Sequence, residues 1–335
     1  MAGSPDPMTR WGVRVFDGHA HFPYTPAELL DDPNVDPLNG SLLWGDWSAQ
    51  YLRRFGREKH DLLKRRNDEG QRSWWRAYNF PEANERPASL DETVRHWQAE
   101  LDKKGIDGVV FMTGGNNNAL ARVVQADPRF VGFAHHDPFQ PGAATELRRA
   151  VAMGLRGYKI LAPAINRPLD DPALDELWSV CEEHHLPVVV HFGPLGGRGG
   201  LMTGPNISPL RLHDVAKGFP TVSFIVPHFG CGYVKELIHL MWGCENVVVD
   251  TSGNNDWRRF ESPPLSLKAL FTQFRDLFGA QRIIFGTDSS HFPRGFATRY
   301  LDDQLRVARE SGFDEGDVQA VFGENMRRLL AAVRL

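Results

Sequence analysis

Six polar side chains interrupt the apolar, β-branched runs of this chain close to their carboxyl ends. They are His19 and His21 in FDGHAH, Lys159 in GYKI, His191 in VVVHFG, His228 in FIVPHFG and Asp288 in IIFGTDS. Histidines two apart on a strand project to one face, so His19 and His21 can present two imidazoles to one ion, which adjacent positions could not. A third histidine and a carboxylate complete a nitrogen-rich donor set suited to Zn²⁺ and acceptable to Mn²⁺ or Fe²⁺. Taken singly each residue has an ordinary explanation, the histidine as a structural hydrogen-bonder and the aspartate as a helix cap. Their recurrence at matching strand ends points instead to one metal centre. A structural zinc site closes its shell, frequently with cysteine, whereas a set on an open rim leaves room for water, so an enzyme is expected rather than a binding barrel.

Such convergence needs a fold that gathers strand ends. Eight strand-like runs are expected at 13–21, 106–113, 130–135, 155–161, 187–192, 222–228, 247–251 and 282–288, several of them continuously apolar as in parallel strands buried on both faces. Helical patterns alternate with them. Ser89 and Glu92 form a capping box ahead of Val94, Trp97 and Leu101, and Gly105 stops that helix; Asp171-Pro172 and Ser208-Pro209 open two more. Eight βα units close a barrel, and the first strand lacks the glycine fingerprint of a doubly wound nucleotide fold, so a (β/α)8 TIM barrel is predicted. The six residues then lie on its carboxyl-terminal rim, where barrel enzymes keep their sites.

The spacing breaks once. Residues 22–88 form an insertion after the first strand, with a charged, helix-like middle and four tryptophans, Trp44, Trp47, Trp74 and Trp75. It is read as a helical excursion that packs its aromatics on the barrel or on a second subunit, or as a substrate lid. A helical tail is expected at 314–334. The 335 residues would suffice for two ordinary domains, but the βα period assigns 11–335 to one barrel domain carrying that insertion.

Composition excludes partners more than it suggests them. With 38 Lys+Arg against 42 Asp+Glu and a formal net charge of -4, the chain has no field or basic run for nucleic acid. Three cysteines, Cys181, Cys231 and Cys244, are too few and too irregular for a disulfide framework, which fits a reducing, cytoplasmic location. No run approaches a membrane span, and the first residues carry no apolar stretch that would serve as a signal or anchor. A small-molecule substrate and a homodimer are expected.

These motifs resemble the amidohydrolase superfamily, and within it the amidohydrolase-related branch that includes aminocarboxymuconate-semialdehyde decarboxylase. The resemblance rests on FDGHAH, GLRGYKI, LPVVVHFG, PHFG, IIFGTD and FGENMRRLL, and covers the barrel but not the Trp-rich insertion. It implies a metal held by His19, His21, His191 and Asp288, with Asp288 also moving the proton of a bound water. It further implies that His228 acts as a general acid/base or electrophile beside the metal. In binuclear relatives the strand-six histidine binds a second ion, helped by a carboxylated lysine on strand four, where Lys159 stands. An uncarboxylated Lys159 would instead bind an anionic substrate or pair with Asp288; one metal, most simply zinc, is favoured.

Other loops add candidates. Arg198 and Arg294 could grip a carboxylate through their guanidinium forks, and His136 and His291 could reach a substrate. His135, Asp137 and 116–118 are weaker candidates of the same kind, and Asp250 and Thr251 either position a ligand or tie loops together. The leading expectation is metal-dependent hydrolysis of an amide, lactone or related bond in a small carboxylated or aromatic molecule, with Asp288 and His228 as catalytic residues. The alternative is non-oxidative decarboxylation of the aminocarboxymuconate-semialdehyde or hydroxybenzoate type. Against it stands Asp288-Ser289-Ser290-His291, where those decarboxylases usually continue with an aromatic residue and proline; His291-Phe292-Pro293 restores that pattern three residues later.

Overall fold

The computed structural model describes residues 10–23, 56–83, 89–195 and 204–335. Within them the strands are β1 (Phe16–Ala20), β2 (Gly108–Phe111), β3 (Phe130–Gly132), β4 (Tyr158–Leu161), β5 (Val188–His191), β6 (Phe224–Val226), β7 (Val247–Asp250) and β8 (Ile283–Ile284). All pair in parallel, as two arcs ordered β1-β2-β3 and β4-β5-β6-β7-β8. Two isolated bridges join the arcs, Ala134 with Tyr158 and Ala20 with Ser289, and so close the ring. Each strand falls inside its expected run but is shorter. The residues beyond the ladder turn away to form the rim, which is where the polar positions lie.

The helices are α1 (Arg57–Ala77), α2 (Leu90–Lys104), α3 (Asn117–Gln125), α4 (Ala143–Ala152), α5 (Asp175–Glu183), α6 (His213–Gly218), α7 (Val234–Gly243), α8 (Leu267–Phe278), α9 (Thr298–Glu310), α10 (Glu315–Gln319) and α11 (Asn325–Ala331). The capping box forms as expected: the Glu92 amide donates to Ser89 Oγ at 3.2 Å, and Gly105 ends α2 in the left-handed conformation at φ 63°. The inward stripe Leu90, Val94, Trp97 and Leu101 is buried, and the Trp97 ring meets Phe111 at 5.1 Å. Truncating such a tryptophan to alanine costs about 3–5 kcal/mol. None of the helices among the described residues is long and apolar enough to cross a membrane.

The barrel interior is a packed layer of Val110, Val131, Phe133, Val189, Ile225, Val248 and Ile284, sealed by Met326 and Leu330 from the C-terminal helical tail. Gly157 makes room for it, because a Cβ there would lie 2.5 Å from Phe133 Cζ. Asp17 pins β1 to the chain after β8. Its Oδ1 accepts from the amides of His19 at 3.1 Å and Thr287 at 3.0 Å, and its Oδ2 accepts from the Thr287 hydroxyl at 2.5 Å.

The described end of the insertion, from Trp75 to Pro81, docks on the loops after β7 and β8. Trp75, late in α1, stacks on His291 at 4.4 Å, Tyr78 donates to Asp256 at 2.9 Å, and His291 Nε2 donates to the Pro81 carbonyl at 3.2 Å. Phe80 lies 5.2 Å from the Arg294 guanidinium and 5.5 Å from the Tyr300 ring. Trp75, Tyr78 and Phe80 of the insertion therefore pack on the barrel's own rim. Trp44 and Trp47 lie outside the described residues.

Candidate metal centre

His19 lies in β1 at a bulge and His21 follows the strand, while Asp288 sits four residues past β8 at φ 55°, a left-handed conformation. One donor atom from each of these three residues lies within 4.8 Å of the others. His21 Nε2 is 3.1 Å from Asp288 Oδ1, and His21 Nδ1 is held by Thr113 Oγ1 at 2.7 Å. Gly286 permits the close approach, since a Cβ there would stand 2.7 Å from His19 Cβ.

The orientation of His19 is what suits a metal. Its Nδ1 lies 2.5 Å from Asp250 Oδ2, and both side chains are buried. The carboxylate assigns the proton to Nδ1, so Nε2 carries a bare lone pair. That Nε2 is buried and makes no hydrogen bond among the described residues. An imidazole nitrogen left without a partner beside a second imidazole and a carboxylate fits a divalent cation. Asp250 is itself fixed by the Ser252 amide, which donates to Oδ1 at 2.5 Å.

His228 adjoins this set. Its ring centroid is 5.2 Å from that of His19 and 5.0 Å from that of His191. His228 Nδ1 faces the Ser252 carbonyl at 3.0 Å, an acceptor only, so Nδ1 holds the proton and Nε2 is the basic nitrogen. Ser252 Oγ lies 2.9 Å from the same Nδ1 and 3.3 Å from His19 Nδ1, linking the two rings. His191, expected in the donor set, stands behind His228. Its Nε2 donates to the Pro194 carbonyl at 3.0 Å, which turns that nitrogen away from the His19–His21–Asp288 group. Lys159 faces the barrel interior, fully buried, and its Nζ makes no hydrogen bond among the described residues.

Electrostatics separate the roles. Burial, then the charges of Lys159 and His228, drive His19 far below the usual histidine range, so it stays neutral, as a ligand must. Burial, then His228 and Lys159, do the same to His191. Desolvation alone would raise Asp288, but the His21 hydrogen bond and the charges of His228, His21 and His19 overcome it and hold the carboxyl well below its usual range. Burial pushes Asp250 up to about 6, against His228 and the Ser252 bonds. Cys231, at the rim, is pushed up to about 12 by burial and then by Asp288, so its thiol is no nucleophile.

The other candidates find different places. Both nitrogens of His136 are engaged within the protein, Nε2 with the Ala143 carbonyl at 3.0 Å and Nδ1 with Asn117 at 3.3 Å. His135 is likewise tied to the Gly115 carbonyl at 2.8 Å. His291 is covered by Trp75 and bonded to Pro81. Arg294 is buried, and its Nη2 donates to the Asp288 carbonyl at 3.2 Å, which supports the left-handed turn. Arg198 lies outside the described residues. Thr113 and Ser252 were not singled out from sequence, because hydroxyl residues carry no spacing signal.

A closed parallel β/α barrel with a histidine–carboxylate donor set on its carboxyl rim defines the class: a TIM-type barrel built to hold a divalent metal. The chain belongs to the amidohydrolase family, whose profile matches residues 16–331. Among solved structures it is similar to 5-carboxyvanillate decarboxylase of Novosphingobium aromaticivorans, complexed with manganese and 4-hydroxy-3-methoxy-5-nitrobenzoic acid. The identity is 17%, coverage is 99% of both chains and the TM-score is 0.59. It is also similar to a probable 2-pyrone-4,6-dicarboxylic acid hydrolase of Acinetobacter baumannii with citric acid bound, at 16% identity over 75% of this chain and 91% of that one, TM-score 0.53. A third is an amidohydrolase of Burkholderia multivorans with bound zinc, at 14% identity over 95% and 99%, TM-score 0.54. At these identities the likeness shows the shared fold. Comparison with curated proteins finds no match.

Proposed function

We propose that this protein is a metal-dependent hydrolase of an amide, lactone or related bond in a small carboxylated or aromatic molecule. The observation that carries the reading is His19 Nε2, buried and without a hydrogen bond among the described residues, with donor atoms of His21 and Asp288 close by. His19, His21 and Asp288 would hold the ion, and His191 would join them by releasing the Pro194 carbonyl. A divalent ion there supplies a Lewis acid for a carbonyl oxygen and lowers the pKa of a bound water. The Asp288 carboxylate is partly open to solvent and lies 3.1 Å from His21 Nε2, which places it to receive a proton from the attacking water. His228, with Nε2 basic and its ring beside His19, can take a proton and return it to the leaving group. Two proton-handling groups at one spot are what hydrolysis requires.

Decarboxylation is the second reading, supported by the end-to-end similarity to the carboxyvanillate enzyme. In that reading His228 would deliver a proton to the ring carbon. A panel of lactones, amides and hydroxybenzoates, assayed for acid or amine release against CO₂ release, separates the two. Turnover with release of acid or amine is expected; CO₂ release without hydrolysis would replace the first reading by the second. Zinc or manganese suits the donor set, the former matching its nitrogen content.

A further inference from the structure

The mechanism leaves one buried charge unused. Lys159 is paired in register with Val189, and His191 follows two residues after Val189 on the same face of β5. Val189 belongs to the interior layer, so Lys159 projects into the barrel one pleat below His191. Its side chain is 1% exposed and Nζ has no hydrogen-bond partner among the described residues. The nearby acids are committed elsewhere, Asp250 to His19 and the Ser252 amide, and Asp288 to His21. A buried amine that makes no hydrogen bond among the described residues is costly to keep unless something anionic answers it directly.

We propose that Lys159 is the anchor for a carboxylate of the substrate, which enters the barrel acid-first and leaves its reacting bond at the level of His19, His21 and Asp288. The substrate class is thereby a small molecule with a carboxylate separate from the bond that reacts. This rests on the hydrolase reading and names the substrate class for the same site. Burial lowers the Lys159 pKa to about 8, with Asp250 and Asp288 opposing, so the amine is still mostly charged at neutral pH. An ammonium–carboxylate contact shielded from water is among the stronger single hydrogen bonds a site can make.

The test measures binding by calorimetry on the full chain, with and without Mn²⁺, using phthalate, isophthalate, terephthalate and their monomethyl esters. The preferred dicarboxylate is expected to bind wild type about 30-fold more tightly than its half-ester, the size of one charge-assisted hydrogen bond. Lys159→Met should reduce it to the half-ester's affinity, and Lys159→Arg should restore most of the difference. Lys159→Met replaces an unanswered amine by an apolar chain of similar length, so its melting temperature should match or exceed wild type; Lys159→Gln is read the same way if it does not fold. Equal affinities in wild type and Lys159→Met overturn the anchor, as does a wild type that prefers no dicarboxylate to its half-ester. Metal content is measured on the same samples. Loss of a second ion in Lys159→Met would make the amine a carrier of a metal ligand and also overturn the anchor. A wild type that takes up no divalent metal would overturn the hydrolase reading, while the metal-free titrations still decide the role of Lys159.

Discussion

Asp250 Oδ2 lies 2.5 Å from His19 Nδ1, joining the end of β7 to the end of β1 across the barrel rim. The contact decides which nitrogen of His19 carries its proton, and so which one faces a metal. Asp250→Asn keeps the shape but no longer enforces that proton's position. It should weaken metal affinity about 10–100-fold, measured by competition with a chelator, while the fold is retained. Unchanged affinity would show that Asp250 is only a tie between loops.

His228 has a separate task, because its Nε2 is free to move protons while Ser252 holds the other side of the ring. His228→Gln should lower kcat about 10²–10⁴-fold with the metal content of the protein unchanged. A variant that loses the metal together with activity would make His228 a ligand, as in the binuclear arrangement.

Asp17 should act on stability. Burial raises its pKa to about 7 against the Thr287 and His19 hydrogen bonds, so the folded state binds a proton that the unfolded chain has already lost. Its contribution to stability therefore falls as pH rises from about 4 to 7. Asp17→Asn keeps an oxygen for the His19 and Thr287 amides without the charge, and should be at least as stable as wild type at pH 8. Asp17→Ala strands those amides and should cost about 2–4 kcal/mol. Urea unfolding of the three proteins at pH 5 and pH 8 checks both.

Buried histidines give the opposite slope. Burial pushes His136 down to about 4 despite its Ala143 bond, and burial and then Arg294 push His291 down to about 3. Both stay neutral in the fold but take up a proton on unfolding below about pH 6.5. Stability should hold above that value and be lost as pH falls from 6.5 toward 4, His136 alone accounting for on the order of 3 kcal/mol. His136→Gln should flatten the decline in urea midpoints between pH 6.5 and 4.5; an unchanged slope would contradict this assignment.

Much of this molecule is legible in its sequence for identifiable reasons. Parallel strands buried on both faces must be continuously apolar, so a His or Asp at their ends stands out, and β1, β5, β6 and β8 could be placed with their polar residues. Ser89 and Gly105 mark the ends of α2, and Asp171 and Ser208 cap the 3-10 turns that lead into α5 and α6, because caps use few residue types. The contacts that orient the centre were not legible. Asp250, Ser252 and Thr113 act through distances between strands far apart in the chain, and nothing in local spacing records them. Nor does a sequence say that the Pro194 carbonyl takes His191 Nε2, that Arg294 donates to the Asp288 carbonyl, or that His136 donates to the Ala143 carbonyl.

The most direct test of the central claim is an anomalous-scattering map of crystals grown with Mn²⁺ or Zn²⁺. The expected result is one peak per chain within about 2.0–2.3 Å of His19 Nε2, His21 Nε2 and an Asp288 oxygen. A map with no peak between these three residues, or with its peak on other side chains, would contradict the account.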